Sequence, residues 1–177
     1  YDALKDYLVS VGSFPVRDYI GYRDVAGIQR ECCRGELKRS EPDDDINYSA
    51  LALLLLERHG TSVTTADVAR AWLTLLPAGA TFTAERVAYR VLLDRAADNF
   101  AHGADPGFDL SACSDNAYND WIGAQIRADV YGWVNPGRPA LAAALAQRDA
   151  ALSHRGDGVY GAMFVAEMID YPLGPTA

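Results

Sequence analysis

The sequence predicts an all-α protein, and three observations lead there. Apolar residues recur at three- and four-residue spacing in successive segments. No segment shows the strict apolar–polar alternation of a half-buried strand. Helix stops and starts at Gly60, Pro77, Pro136-Gly137 and Pro139 divide the chain into six or seven helical segments. The expected architecture is a compact helical bundle, with residues 1–177 forming a single helical domain.

Residues 4–11 predict a short helix with Leu4, Tyr7 and Leu8 on one stripe, stopped by Gly12. Residues 12–42 carry Gly and Pro with little periodicity and predict a long loop, with one helical turn near Ile28–Cys33. Residues 46–58 (INYSALALLLLER) are apolar on nearly every side and predict a central, buried helix ended at His59-Gly60. Thr64 and Asp67 offer capping-box chemistry to a helix over 65–76, with Val68, Trp72 and Leu75 inward. Thr83 is expected to cap a helix over 84–97, with Val87, Val91 and Leu92 inward. Residues 98–113 read as loop and 118–130 as helix. Pro139 suits the first turn of a helix over 139–152. A last helix near 157–169 carries Val159, Met163, Phe164, Ala166 and Met168, and Pro172, Gly174 and Pro175 mark a fraying end.

Composition excludes some functions. The formal net charge is −8, and the sixteen Lys and Arg residues are scattered, so no nucleic-acid partner is expected. No segment approaches the apolar length of a membrane span, so no membrane partner is expected. Cys32, Cys33 and Cys113 make a poor disulfide framework and contain no C-x-x-C pair, which fits a reduced, cytoplasmic compartment. The start, Tyr1-Asp2-Ala3, has neither Met nor a signal-peptide pattern and reads as the middle of a longer gene product.

The run Asp43-Asp44-Asp45 is the most chemically loaded feature. Three adjacent carboxylates repel one another, and partial burial adds to the cost. A helix N-terminus compensates part of it, at about 0.3–1 kcal/mol for each anion. A bound cation compensates more, and carboxylate oxygens suit Mg²⁺, Mn²⁺ or Ca²⁺ rather than Zn²⁺. The run is therefore either a helix cap or part of a divalent-metal site.

A second constellation is Asn119-Asp120-Trp121-Ile122-Gly123-Ala124-Gln125-Ile126-Arg127-Ala128-Asp129. Gly123 and Ala124 allow close approach of a ligand or a helix. Trp121 offers a stacking face, and Gln125 and Arg127 offer donors to phosphate or ribose oxygens. A packed helix with an internal Arg–Asp pair is the alternative. His154 follows an Ala-rich helix, where it either caps the helix end or contacts a ligand. His59, before Gly60, reads as a helix-end residue, and His102 lies in a loop and carries no signal.

Taken in order, these segments resemble the ADP-ribosylglycohydrolase family. That family's Thr-Asp-Asp-Thr motif opens a long apolar helix, and Asp43-Asp44-Asp45-Ile46 stands in its place. Asp44 and Asp45 match the motif's aspartates, Asp43 replaces the first Thr with another oxygen ligand, and Ile46 replaces the second and cannot coordinate. The family's Asn-Gly-Ser-x-Met-Arg segment corresponds to Ile122–Arg127, where Gly123 and Arg127 match and Ile122 replaces Asn. Pro136-Gly137-Arg138-Pro139, the helix behind it and Ser153-His154 resemble the family's Pro-containing turn, helix and Thr/Ser-His pair. The resemblance covers nearly the whole chain. The family's Gly-rich first helix and its C-terminal Asp-x-Asp-Thr motif have no counterpart here, so the chain is expected to be a fragment or incomplete version of a longer family domain.

The resemblance implies an all-α fold of the ADP-ribosylglycohydrolase type, two Mg²⁺ ions (or Mn²⁺) with part of their ligands outside these residues, and hydrolysis of a ribosyl glycosidic bond. The implied substrate is an ADP-ribosylated protein or a small-molecule ribosyl compound. Asp43, Asp44 and Asp45 would hold metal, and Asp44, Asp45 and Asp120 would be catalytic, Asp120 as the water-activating base. Trp121, Gly123, Gln125, Arg127 and His154 would contact substrate. Ile46 and Ile122 leave a changed substrate open, an N-ribosyl hydrolase acting on a nucleoside-type molecule. The resemblance leaves a second reading open, a non-catalytic, crystallin-like protein on the same fold. A plain helical interaction module, with the acidic run as a cap, is the third.

Overall fold

A computed structural model describes residues 1–41 and 43–170. It holds seven α-helices joined by 3₁₀ turns, and no strand among the described residues. Pro172, Gly174 and Pro175, expected to mark a fraying end, lie outside the described residues. No described helix is long and apolar enough to cross a membrane. The chain divides into two units, Tyr1–Pro42 and Asp43–Ala177.

The first unit contains α1 (Asp2–Ser10) and the 3₁₀ turn Arg30–Cys32. Its loop is more ordered than its composition suggests. Tyr7 donates its hydroxyl hydrogen to the Gly21 carbonyl (2.8 Å), and Gly21 N–H donates to Ser13 Oγ (2.9 Å). Buried Tyr7, Leu8 and Cys33 form its small interior.

The second unit holds α2 (Asp44–His59), α3 (Thr65–Leu75), α4 (Thr83–Arg95), α5 (Asp129–Trp133), α6 (Pro139–Ala150) and α7 (Gly156–Asp170). In α2 the Leu- and Ala-rich run supports helix, and Gly60 ends it at φ 56°, a left-handed value that suits glycine. The helix is one-sided rather than buried all round. Tyr48, Leu51, Ala52 and Leu55 face the core, whereas Leu53 and Leu54 are exposed. In α3 the capping box between Thr64 and Asp67 is complete. Val68 and Trp72 are inward as expected, but Leu75 is exposed, because Leu76, just past the helix end, takes the core position.

Thr83 does not cap α4. It is the first helical residue, and Phe82 occupies the cap position without a side-chain bond. Val87 and Val91 are only half-buried and Leu92 is fully buried. The helix expected over 118–130 is a second correction. The chain runs instead through the 3₁₀ segment Ile122–Arg127 before the short α5. A 3₁₀ segment repeats every three residues, so Ala124 and Arg127 share one inward face; both are buried.

Pro139 opens α6, whose alanines (Ala142, Ala143, Ala146, Ala150) let α7 approach closely. Near the start of α7, Gly158 lies against its neighbours: a Cβ there would stand 2.5 Å from the Asn119 carbonyl oxygen and 2.8 Å from the His154 ring. Gly158→Ala is expected to cost about 1–3 kcal/mol of stability, because backbone cannot yield as a flexible side chain can. Urea unfolding measures it, and a wild-type midpoint would contradict the close approach.

Candidate active site

The acidic run sits where α2 begins. Asp43 adopts extended backbone and its Oδ1 accepts from Asp45 N–H (2.9 Å), so it caps the helix. Asp44 and Asp45 occupy the first turn. The three residues each offer a carboxylate oxygen, all within 4.8 Å of one another. Asp43 and Asp45 are exposed and Asp44 is half-buried, so the cluster faces outward rather than into the domain. The Asp45 carboxyl is pushed above its ordinary range by partial burial and by the charges of Asp43, Asp44 and Asp129. Asp129, at the start of α5, is thus a fourth carboxylate close enough to be felt here. A hard, oxygen-seeking cation fits this donor set and relieves its repulsion.

One turn along α2, Tyr48 leads inward to a buried ionic hub. Arg127 is 1% exposed and pairs with two carboxylates, Nε to Asp149 Oδ1 (2.6 Å) and Nη1 to Glu85 Oε1 (2.6 Å). Its Nη2 donates to the Asp149 carbonyl (3.2 Å), and Tyr131 donates its hydroxyl hydrogen to Asp149 Oδ2 (2.9 Å). The guanidinium also lies over the rings of Tyr48 (5.4 Å) and Trp72 (5.3 Å). Burial alone would lower the Arg127 pKa, but Asp149 and Glu85 outweigh it and hold the group above its ordinary value. Burial raises Glu85 despite the pull of Arg127, and the charges of Asp149 and Asp44 add to the rise. Asp44 likewise raises Tyr48, after the larger effect of burial. The hub and the acidic run therefore share one electrostatic neighbourhood.

His154 closes the hub from behind α6. It is 1% exposed, its Nδ1 is 2.8 Å from Ser153 Oγ, and Glu85 Oε1 is 3.9 Å away. Burial, helped by the charge of Arg127, lowers its pKa to about 3, so the ring is neutral. The imidazole at this helix end is thus a buried, neutral one. His154 Nε2, Tyr48 OH and Trp72 Nε1 are buried without a protein partner among the described residues.

The residues expected on substrate fall into two groups. Asp120 and Trp121 lie on an exposed turn, where Trp121 meets the Tyr118 ring edge-on (5.0 Å). Gly123 and Gln125 are half-buried. A Cβ on Gly123 would collide with the Glu85 carboxylate, and one on Gly161 would collide with the Gln125 amide. Their small neighbours therefore serve internal packing. Arg127 and His154, expected to touch substrate, are buried among their own partners. The pair predicted for Arg127 exists, but with Asp149 rather than a neighbour in its own segment. Glu85 and Asp149 went unmarked in the sequence: each lies outside both constellations, and Glu85 reads as an ordinary acidic residue in a first helical turn.

The family model described as ADP-ribosylglycohydrolase matches residues 6–175, and the chain belongs to that family. It is a glycohydrolase of that general type, a family that acts on ADP-ribosylated substrates. No curated protein and no solved structure matches the chain.

Proposed function

We propose that the protein is a magnesium-dependent hydrolase that removes ADP-ribose from a modified protein or small molecule. The observation that carries this reading is the cluster of Asp43, Asp44 and Asp45 at the start of α2, with Asp129 nearby, in a chain of this family. Asp44 and Asp45 are the principal ligands of the proposed two-ion centre. Asp43 is a weaker one, since one of its oxygens is engaged in capping. When bound, the cation supplies a template for ribose hydroxyls and favours ionisation of water, and Mn²⁺ fits the same donors.

The chain's own residues do the rest. Asp120, exposed and ahead of the 3₁₀ segment, accepts the proton of the attacking water. Trp121 offers an open face for a base to stack on, and Gln125 and the Gly123 backbone border the same segment. Arg127 and His154 act from beneath: they position Glu85, Tyr48 and the start of α2 rather than touching substrate. A cytoplasmic location belongs to this reading, in keeping with the three free cysteines.

The test is release of free ADP-ribose from an ADP-ribosylated arginine or serine peptide by the full chain in Mg²⁺. The reading expects turnover that chelation abolishes and that Asp44→Asn lowers by about 100-fold or more, the loss seen when an electrostatic stabiliser is removed. A metal-bound protein without turnover would favour the non-catalytic, crystallin-like alternative.

A further inference from the structure

We propose that a cavity at the C-terminal end of α2 binds a small organic phosphate. The cavity holds about 510 Å³ and lies between the last turn of α2, the adjoining face of α3 and the 3₁₀ turn Phe100–His102. That volume falls within the range of small-molecule sites. Arg58, His59, Arg70 and His102 line it. Two of the chain's three histidines and two arginines thus converge on one cavity in a protein of net charge −8.

Asp67 is the single carboxylate among the lining residues, and it is already shared. It accepts from Thr64 in the capping box, pairs with Arg70 Nη1 (3.1 Å) and stands 4.0 Å from His59 Nδ1. Arg70 is held in place: Nε donates to the Phe100 carbonyl (3.3 Å), Nη2 donates to the Ala104 carbonyl (3.2 Å), and the guanidinium lies over the Phe100 ring (4.9 Å). These bonds use three of its five N–H groups and leave two for a ligand. Arg58 and His102 have no side-chain hydrogen bond or ion pair among the described residues.

Complementing the α2 dipole accounts for Arg58 and His59, which sit in its last turn. It does not account for Arg70 or His102, which come from other elements. Donors arriving from three elements match the tetrahedral oxygens of a phosphate better than the planar pair of a carboxylate. Leu75, exposed at its edge, adds an apolar surface, which suits an organic phosphate over the free ion. The sixteen residues of α2 span about 24 Å at 1.5 Å per residue, so this site is separate from the acidic run. It stands or falls independently of the proposed hydrolysis.

The experiment is a titration of the ¹⁵N-labelled full chain with adenosine monophosphate, then inorganic phosphate, at constant ionic strength set with chloride. Saturable shifts of the amides around His59, Arg70 and His102 are expected from both. The double variant Arg58→Ala/His102→Ala should weaken adenosine monophosphate binding about tenfold or more, with a melting temperature lowered by no more than about 4 °C, the cost of one helix-end charge. Linear, non-saturating shifts, shifts centred elsewhere, or wild-type affinity in the double variant would overturn the proposal.

Discussion

Methionine in place of Arg127 is expected to lower the free energy of unfolding by about 3–5 kcal/mol, the cost of removing one partner from a buried ionic network. Among the described residues Arg127 is the sole cation between Glu85 and Asp149, and both carboxylates are buried. Without it, each is left without its counter-charge, and protonation relieves that only partly. Small domains have about 5–15 kcal/mol in total, so the variant sits near its unfolding threshold at room temperature. Arg127→Lys recovers only part of the loss, because an ammonium cannot reproduce the fork that bonds both partners. Urea unfolding followed by circular dichroism measures the series. A loss below about 1 kcal/mol for Arg127→Met would contradict the hub, since that is the value of an exposed pair.

Acid is expected to destabilise the protein through His154. Its folded pKa is lowered from 6.5 to about 3, so the unfolded chain takes up the proton first as pH falls. The stability it contributes is fully present above the unfolded value and is lost as pH falls towards the folded one. Between pH 7 and pH 5 this amounts to about 2 kcal/mol. Glu85 has the opposite sign: its pKa is raised above 4.5, so its contribution is present below that value and is lost as pH rises through the folded pKa. The two are separated by comparing wild type with His154→Gln, which removes only the first. The variant should show a flatter dependence of unfolding free energy between pH 7 and 5. An unchanged slope would mean that the imidazole is not held neutral.

Much of the helical framework is legible from local signals. The Thr64–Asp67 box, Pro139 and Gly60 each act within one turn of their own position, so a linear reading finds them. The side on which a helix is buried is less legible: α2 looks buried all round because Leu53 and Leu54 are as apolar as Leu51 and Leu55. The segment 118–130 misleads because Ala124 and Arg127 also satisfy helical spacing, and only the packing selects the tighter 3₁₀ winding. The acidic run is visible because its three carboxylates are adjacent. The hub is not, because positions 85, 127 and 149 meet only through the fold. For the same reason Arg127 and His154 read as ligand contacts when their partners are internal, and His59 and His102 read as inert when they share a cavity.

The central claim is that Asp43, Asp44 and Asp45 hold a divalent cation, and calorimetric titration of Mg²⁺ into the full chain tests it directly. The account predicts saturable binding that Asp44→Asn or Asp45→Asn weakens about tenfold or more, with the melting temperature of the metal-free protein unchanged. Absence of binding by the wild type, or wild-type affinity in Asp44→Asn, would contradict it and leave the run as a helix cap.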